Sequence, residues 1–257
     1  MVSAVERCKL HRLRLLDLSQ NVSALHIGGS FSCFEIVDSL YCEVMGPDDT
    51  FLLSKGHAGI AQYILLEYLG ILDSVHLEQY STAEGILGVH PTGDIPGIYM
   101  ATGSLGHGVG LGLGAALAKQ SRGGGRVFVV ISDGELQEGS TWESFINAPA
   151  LGAANLTVVV DSNDFQSLGR TSTTHPNMYP IEAKLASFGW NVQSVDGHDS
   201  SALTAALRVT DPVRPTFVVA KTTKGKGISF MENEPIWHYR SPNPAEYALA
   251  VAEIRGN

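Results

Sequence analysis

Two apolar runs that each end in polar residues constrain the fold of this chain more than any other feature. The first is Val129–Ile131, followed by Ser-Asp-Gly, and the second is Val158–Val160, followed by Asp-Ser-Asn. Runs of β-branched residues are typical of strands buried in a parallel sheet. Asp133 and Asn163 lie 30 positions apart (163 − 133), about the length of one strand–helix–strand unit. We therefore predict an α/β fold, a doubly wound and mostly parallel sheet flanked by helices.

The two strand ends also predict a binding site. A parallel arrangement brings the Asp133 carboxylate near the Asn163 amide oxygen, with backbone carbonyl groups beside them. Such hard oxygen ligands suit Mg²⁺ or Ca²⁺, and Mg²⁺ is usually held by one or two carboxylates together with phosphate groups. Gly134 has no side chain, so a phosphate can approach its backbone closely. The sequence thus predicts a divalent cation and a phosphate-bearing ligand at this edge of the sheet.

Seven segments together resemble a known family. Asp133–Gly139 and Asp161–Asn163 resemble the diphosphate-binding motif of thiamine diphosphate enzymes and, more closely, the N-terminal part of transketolase. Five other segments follow in the family's order: His26–Ser30, Ser54–Ala58, Thr102–Gly106, Asp196–Asp199 and Lys221–Gly227. The resemblance covers nearly the whole chain. It implies that residues 1–257 form one diphosphate-binding (PP-type) domain of the thiamine diphosphate-binding fold, with thiamine diphosphate and Mg²⁺ as cofactors and Ca²⁺ or Mn²⁺ as alternative ions.

The resemblance also implies a role for individual residues. The metal ligands would be Asp133, Asn163 and the Phe165 carbonyl. The cofactor would contact His57, Gly103, Ser104, Leu105, Gly134, Glu135, Asn163 and His238. His26, His90 and His238 would orient substrate hydroxyls and move protons. Glu138 and Glu143 would belong to an acidic network at a subunit interface, although Glu143 fits equally well as a cap of its own helix.

Three positions depart from the family pattern. Ile27 stands where the family has Pro, His107 where it usually has Gln, and Ser132 where it has Gly. Because of these departures, the sequence does not fix three local features. They are the structure around His26, the contacts at residue 107 and the start of the metal motif.

The implied reaction is transfer of a two-carbon ketol unit from a ketose or ketose phosphate to an aldehyde acceptor. In the family, a pyrimidine-binding domain and a C-terminal domain follow this one, and the pyrimidine domain carries the Glu that activates the cofactor. We expect both domains on a separate chain, in an α2β2 heterotetramer, and we expect this chain alone to be inactive.

Other interpretations remain open from the sequence. One is an E1-like or biosynthetic enzyme that passes the two-carbon unit to a carrier protein, and another is a non-catalytic subunit that keeps the fold. A nicotinamide dehydrogenase is disfavoured, because the glycine pattern at 110–115 follows no predicted strand.

Composition narrows the class of partner and the location. The chain has 17 basic and 26 acidic residues and a net charge of −9, which disfavours nucleic acid and a polybasic membrane anchor. The chain has no run of about 18 apolar residues, so the sequence predicts no membrane span. The N-terminus lacks the apolar core of a signal peptide. The three cysteines have neither disulfide-framework nor metal-site spacing. We expect a cytoplasmic protein.

Several local predictions can be compared with the structure. We expect a loop over residues 26–30, and capping boxes at Ser32–Glu35 and Ser140–Glu143 that each open a helix. Asn243 and Glu246 should open a terminal helix. Glycines 106, 110 and 114 recur every fourth residue, and we expect their helix to lie against a partner chain or the cofactor.

Overall fold

The sheet has the predicted parallel arrangement. A computed structural model describes residues 2–22, 24–167 and 169–256. Its strands are β1 (Thr50–Leu53), β2 (Val127–Ser132), β3 (Leu156–Ser162), β4 (Phe165–Gln166), β5 (Gly169–Arg170), β6 (Asn191–Asp196) and β7 (Thr216–Lys221). The main sheet has the order β1-β2-β3-β7-β6 with all neighbours parallel, and β4 and β5 form a separate antiparallel hairpin. The predicted pairing of the strands that precede Asp133 and Asn163 is confirmed, with Val129 opposite Val158.

Helices cover both faces of this sheet. They are α1 (Ala4–Ser19), α2 (Ile27–Ser39), α3 (Gly59–Tyr68), α4 (Ser74–Glu78), α5 (Gly108–Ser121), α6 (Gly139–Ala150), α7 (Thr171–Thr174), α8 (Ile181–Phe188), α9 (Ser200–Arg208) and α10 (Pro244–Gly256). A π-helical turn, Leu40–Val44, follows α2, and short 3₁₀ turns occupy Gly56–Ala58, Gly134–Gln137, Pro176–Met178 and Pro235–His238.

Alternating side chains of the strands divide the core into two layers. Phe128 and Val130 of β2 face the layer built from α1, α2, α3, α9 and α10. Val129 and Ile131 face the opposite layer, built from α5, α6 and α8. Both sets are fully buried, because successive residues of a strand point to opposite faces and both faces are covered. The doubly wound fold predicted from the sequence is therefore confirmed.

The expected loop over residues 26–30 is wrong. Ile27 is buried and begins α2, so both glycines of the motif lie in its first turn. A Cβ at Gly28 would come within 2.9 Å of the Trp237 carbonyl oxygen. The glycine therefore allows close packing of α2 against a distant segment.

The two predicted capping boxes are also wrong. Ser32 lies inside α2, where its hydroxyl donates to Asp161, and Glu35 accepts hydrogen bonds from Arg12. Helix α6 already begins at Gly139, so Ser140 is internal and donates to the Gly106 carbonyl. Tertiary partners at long sequence distance have taken the side chains that a local pattern assigns to caps.

The terminal capping box is confirmed. The Asn243 side chain accepts from the backbone N–H groups of Ala245 and Glu246, at 3.0 and 2.9 Å, and Glu246 accepts from the Asn243 N–H at 2.9 Å. Helix α10 starts at Pro244, directly after this cap.

The glycines of α5 fall into two groups. Gly108 and Gly112 are buried, and a Cβ there would collide with Ser54 or Val129. Gly110 and Gly114 are exposed, and a Cβ at Gly114 would meet nothing within 4 Å. Of the three glycines predicted to form a stripe, Gly106 is buried before α5 starts and packs against Glu138 and Ser140. Gly110, where a Cβ would come within 3.2 Å of Ser144 Oγ, and Gly114 are exposed. The contact of this helix with a partner chain or cofactor stays a prediction.

A search of the described residues for a helix long and apolar enough to cross a membrane finds none.

Candidate active site

A cavity of about 300 Å³ opens at the carboxyl ends of the central strands. This is the edge at which ligands bind in open parallel sheets. Its wall is formed by His26, Gly29, Lys55, His57, Gly103, Leu105, Ser132, Gly134, Gln137, Glu138, Asn163, Phe165, Gln166, Ser167, Lys224 and His238. Segments that are far apart in the sequence therefore meet here, as the strand-end argument predicts.

Asp133 lies beneath this cavity with its side chain fully buried. Among the described residues, its carboxylate accepts hydrogen bonds only from backbone, from Gly134 N at 3.1 Å and from Asp164 N. No Lys or Arg of the described residues forms an ion pair with it. Burial, followed by the nearby Asp161 charge, raises the pKa of Asp133 to about 8. The site therefore holds a carboxylate that needs a cation to be stable in its charged form.

Asn163 reaches the same edge from the next strand. Its side-chain oxygen accepts from Phe165 N at 3.0 Å, while its amide nitrogen donates to Ser32 and Asp161 at 3.3 and 3.2 Å. These two donor bonds orient the amide and distinguish its oxygen from its nitrogen. The oxygen is thus held on the side of Phe165, and both Asn163 and Phe165 line the cavity.

Asp161, two residues earlier, is part of a dense buried network. Its carboxylate accepts from the Ser32 hydroxyl at 2.6 Å and from Lys55 and Thr222. Lys55 is 1% exposed, Asp161 is 0% exposed, and Lys55 also donates to the Gly29 carbonyl at 2.8 Å. The ion pair fixes α2, the end of β1 and the end of β3 to one another.

Three histidines form one wall of the cavity. The ring centroids of His26, His57 and His238 are 5.3 to 5.8 Å apart. Burial is the main cause that lowers the pKa of His26 to about 4, that of His238 to about 3, and that of His57 well below its usual value. All three rings are therefore neutral at pH 7 in the unliganded protein.

Lys224 is the second buried lysine of the wall. It is 2% exposed, and its ammonium group donates to His238 Nδ1 at 3.0 Å and to the Ser167 carbonyl at 3.3 Å. Burial, and then the Lys55 charge, lower its pKa to about 8. Because Nδ1 of His238 accepts this bond, the proton of the neutral ring is on Nε2.

The predicted backbone loop lies at the other side of the cavity. Gly103 and Leu105 line it, whereas Ser104 is exposed and belongs to a neighbouring depression. His90 is exposed and packs on this loop, since a Cβ at Gly103 would come within 2.4 Å of its ring. His90 itself is outside the cavity wall.

Glu135 supports that loop from below. Its fully buried carboxylate accepts from the Ser54 hydroxyl and, at 2.9 Å, from Gly106 N. Burial raises its pKa. Glu135 is therefore not part of the cavity wall and supports residues 103–106, and the direct cofactor contact expected from the resemblance stays a prediction.

The two interface carboxylates lie at the surface of this chain. Glu138 is exposed at the cavity wall, and Glu143 is exposed on α6. Glu143 provides no side-chain cap to α6.

The three departures from the family pattern have simple structural outcomes. Ser132 lines the cavity, and its hydroxyl accepts from Glu135 N at 3.3 Å. His107 is exposed ahead of α5, with Nδ1 3.2 Å from the carbonyl oxygens of Ser104 and Leu105. Ile27 joins the hydrophobic core.

Sequence reasoning missed the two lysines as site residues. Each follows the carboxyl end of a strand of the main sheet, Lys55 after the edge strand β1 and Lys224 after β7. The same strand-end rule that selected Asp133 and Asn163 would have selected them. The side chains of Gln137, Gln166 and Ser167 carried no comparable signal.

Comparison with known proteins identifies the family. Residues 11–241 match the family described as "Transketolase, thiamine diphosphate binding domain". The chain belongs to this family. The transketolase resemblance stated from the sequence motifs is thereby confirmed.

Curated relatives of this transketolase-family chain include short subunits. It is 33% identical to an apulose-4-phosphate transketolase subunit of Phocaeicola vulgatus, over 95% of this chain and 91% of that protein. It is 34% identical to the "6-deoxy-6-sulfo-D-fructose transketolase subunit SqwG" of a Clostridium species, over 89% of this chain and 88% of that protein. The chain is 35% identical to the longer "Transketolase-like protein 2" of Homo sapiens. This match covers 96% of this chain but 41% of that protein.

Solved structures agree with the family assignment. A transketolase from Leishmania mexicana superposes with a TM-score of 0.90 at 25% identity, over 99% of this chain and 42% of that one. A transketolase from Campylobacter jejuni gives a TM-score of 0.89 at 23% identity, which establishes the shared fold. The chain thus spans about two fifths of these full-length transketolases.

The residues of this transketolase-family site fit a divalent cation and a diphosphate. A search of the described residues finds no group of three His, Cys, Asp or Glu side chains able to hold a metal by themselves. Mg²⁺ does not need one, because it takes one or two carboxylates together with phosphate oxygens and water. The unpaired Asp133 carboxylate, the oriented Asn163 oxygen and two buried ammonium groups in the same cavity match that chemistry.

Proposed function

We propose that this chain is the N-terminal subunit of a two-chain transketolase that depends on thiamine diphosphate and Mg²⁺. It would transfer a two-carbon ketol unit from a ketose phosphate to an aldehyde acceptor, together with a second subunit. The observation that carries the proposal is the unpaired, buried Asp133 beside the Asn163 oxygen, beneath a cavity walled by two buried lysines.

Asp133, the Asn163 side-chain oxygen and the Phe165 carbonyl would hold the metal ion. His57, Gly134 and the backbone of residues 103–105 would contact the diphosphate. A Cβ at Gly134 would come within 3.2 Å of the Gln166 side chain, so this position has no room for one beside the ligand. Lys55 and Lys224 would balance the negative charge of the diphosphate, and Lys224 has no carboxylate partner among residues of the described ranges.

Bound thiamine diphosphate would supply the nucleophilic carbon to which the two-carbon unit is transferred. The histidines of the chain would then act on the substrate oxygens. His238 carries its proton on Nε2 and would donate to a substrate hydroxyl or carbonyl oxygen. His26, neutral above pH 4 or so, would accept a proton or a hydrogen bond. His90, on the loop outside the wall, would contact the more distant part of the sugar.

A partner chain would complete the site. The short relatives named as transketolase subunits are matched over about nine tenths of their length, which supports a division of the enzyme into two chains. We propose that the second chain carries the pyrimidine and C-terminal domains and the activating Glu, and that two copies of each form an α2β2 heterotetramer. Glu138 and Glu143 would lie at the contact between subunits, near the exposed glycines of α5.

The cytoplasm is the proposed location. All three cysteines are free thiols, and Cys8 and Cys33 are buried. This matches a reducing compartment, in which thiols stay unpaired.

Reconstitution tests the proposal. The purified chain should be inactive alone and should gain ketol transfer when mixed with its partner chain, thiamine diphosphate and Mg²⁺. Ketose phosphates should be better donors than 2-oxo acids, which an E1-like enzyme would prefer.

Gly110→Leu, on the exposed face of α5, should abolish assembly, whereas Gly124→Leu, with open space around it, should not. Transfer by the chain without a partner, or cofactor binding unchanged by removal of Mg²⁺, would overturn the proposal.

A further inference from the structure

A second cavity lies beside the first, at the same edge of the sheet. It has a volume of about 210 Å³ and lies between α1, α10, the start of α9 and the loop that follows β7. Val5 and Ile254 form its apolar side. Its polar side is formed by Lys9, Arg12, His198, Ser200 and Lys226. None of these polar residues has a role in the proposed reaction.

The charge of this cavity is positive. Arg12, Lys9 and Lys226 face a single lining carboxylate, Glu35, which accepts two hydrogen bonds from Arg12, at 2.7 and 2.8 Å, and one contact from His198 at 3.0 Å. His198 Nε2 accepts from Thr223 N at 2.8 Å, so this nitrogen carries no proton and the ring is neutral. The Glu35 charge is therefore engaged with Arg12, and Lys9 and Lys226 are opposed by one further carboxylate, Glu232, which lies 3.5 Å from Lys226.

The donor groups of the cavity differ in whether a ligand can reach them. Arg12 is 5% exposed, and its Nε–H has no hydrogen-bond partner among the described residues. This nitrogen is enclosed on the side of Gly227, where a Cβ would come within 3.6 Å of it, so a ligand in the cavity does not reach it. Lys9 lines the cavity and is half-buried, and its ammonium group is therefore a donor that an anion in the cavity can use.

Lys226 has only a weak competing partner. Its ammonium group lies 3.5 Å from Glu232, and both side chains are more than 30% exposed. A solvent-exposed pair at this distance adds little free energy, so Lys226 can turn toward a ligand. Glu232 in turn accepts from Gly227 N at 2.9 Å, which keeps its carboxylate on the outer side of the loop.

We infer that this cavity binds a small organic anion, with a carboxylate or phosphate head on Lys9 and Lys226, beside the Arg12–Glu35 pair, and a short apolar body against Val5 and Ile254. The loop after β7 joins the two cavities, because it carries Lys226 into this one and Lys224 into the first. An occupant would therefore hold the loop at a point two residues from Lys224, next to the proposed cofactor site. The inference itself needs no cofactor to be true.

Amide NMR of the full chain tests the inference, with isobutyrate as the probe. Isobutyrate should shift the amides of Gly227 and Ser200 saturably, and neutral isobutyramide should not. Inorganic phosphate, which has the head group but no apolar body, should bind more weakly at the same amides. Lys9→Gln and Lys226→Gln should each weaken isobutyrate binding by about 3- to 10-fold. Lys221→Gln, an exposed lysine at the end of β7, is the matched control and should leave it unchanged.

The amides of Gly103 and Gly134 report on the first cavity in the same spectra. Titration with thiamine diphosphate and Mg²⁺ should shift those two, so that loss of cofactor binding and loss of anion binding are seen separately. Shifts by isobutyrate that do not saturate, that isobutyramide reproduces, or that occur only at Gly103 and Gly134 would overturn the inference.

Discussion

Asp133 and Asp161 occupy neighbouring strand ends and are both fully buried, yet their surroundings differ completely. Asp161 accepts from the side chains of Lys55, Ser32, Asn163 and Thr222. Within the ranges that the structure describes, Asp133 accepts only from two backbone N–H groups. A buried carboxylate is costly unless it is paired. The contrast teaches that Asp161 completes its electrostatics within the chain, whereas Asp133 would, on the proposed function, be balanced by a bound cation.

Asp161→Asn should have the largest effect. It leaves the Lys55 ammonium buried without its counter-charge, and removing one partner of a buried ion pair costs about 3–5 kcal/mol. Denaturant unfolding of the chain should show a loss of this size. Asp211→Asn, which breaks the exposed pair with Arg214, is the control and should cause a far smaller loss. Equal losses would mean that the Lys55–Asp161 pair is no stronger than a surface pair.

Asp133→Ala should act mainly on cofactor binding. We expect the affinity for thiamine diphosphate at fixed Mg²⁺ to fall at least about 100-fold, since even outer partners of metal ligands contribute 10- to 100-fold. Calorimetry measures the Kd for thiamine diphosphate at fixed Mg²⁺. The surface variant Glu182→Ala is the control and should bind the cofactor as the wild type does. Unchanged affinity would remove Asp133 from the proposed metal site.

The pH dependence of stability should distinguish the two carboxylates further. Burial raises the pKa of Asp133 to about 8, so the folded chain binds a proton that the unfolded chain has released above pH 4 or so. The contribution of Asp133 to the stability of the unliganded chain should therefore fall as the pH rises from about 4 to about 8, and it is measured as the difference between the wild type and Asp133→Asn, in which the contributions of the buried histidines cancel. Asp133→Asn should remove this fall and stabilise the unliganded chain near pH 8 by about 1–3 kcal/mol.

The measurement is a series of unfolding curves between pH 4 and pH 8 without metal or cofactor. Mg²⁺ with thiamine diphosphate should reduce the difference between the wild type and Asp133→Asn, because the cation balances the charge. Parallel pH profiles for the two proteins would contradict the view that Asp133 lacks a partner.

Lys224→Met should have the smallest effect of this set. Lys224 is a buried cation with no carboxylate partner in the described part of the chain, and its main contact is His238. Its loss should weaken cofactor binding about 10-fold, the size of one charge-assisted hydrogen bond, without lowering stability. Lys221→Met is the control, and a marked loss of stability in Lys224→Met would indicate a structural role instead.

The sequence predicted the sheet and the strand-end site because both follow from local patterns. The β-branched runs define β2 and β3, and the parallel arrangement then brings Asp133 and Asn163 together. The resemblance to transketolase supplied the histidines. The positions of His26, His57 and His238 in one wall agree with that prediction.

The failures have a common physical cause, which is competition from distant partners. Ser32 has the sequence context of a helix cap, but its hydroxyl donates to Asp161, which is 129 residues away. Ser140 has the same kind of context, but its hydroxyl donates to the Gly106 carbonyl. No pattern of neighbours along the chain contains such information, because it arises only when the strands have been assembled.

The close contact between Gly28 and Trp237 bears on the order in which the cavity is completed during synthesis. Helix α2 and His26 leave the ribosome early, but the segment that covers Gly28 and carries His238 follows more than 200 residues later. Until then one side of the pocket is open to water, and the three imidazoles are not yet desolvated by one another. The three imidazoles of the nascent chain are therefore buried together only after residue 238 has been made.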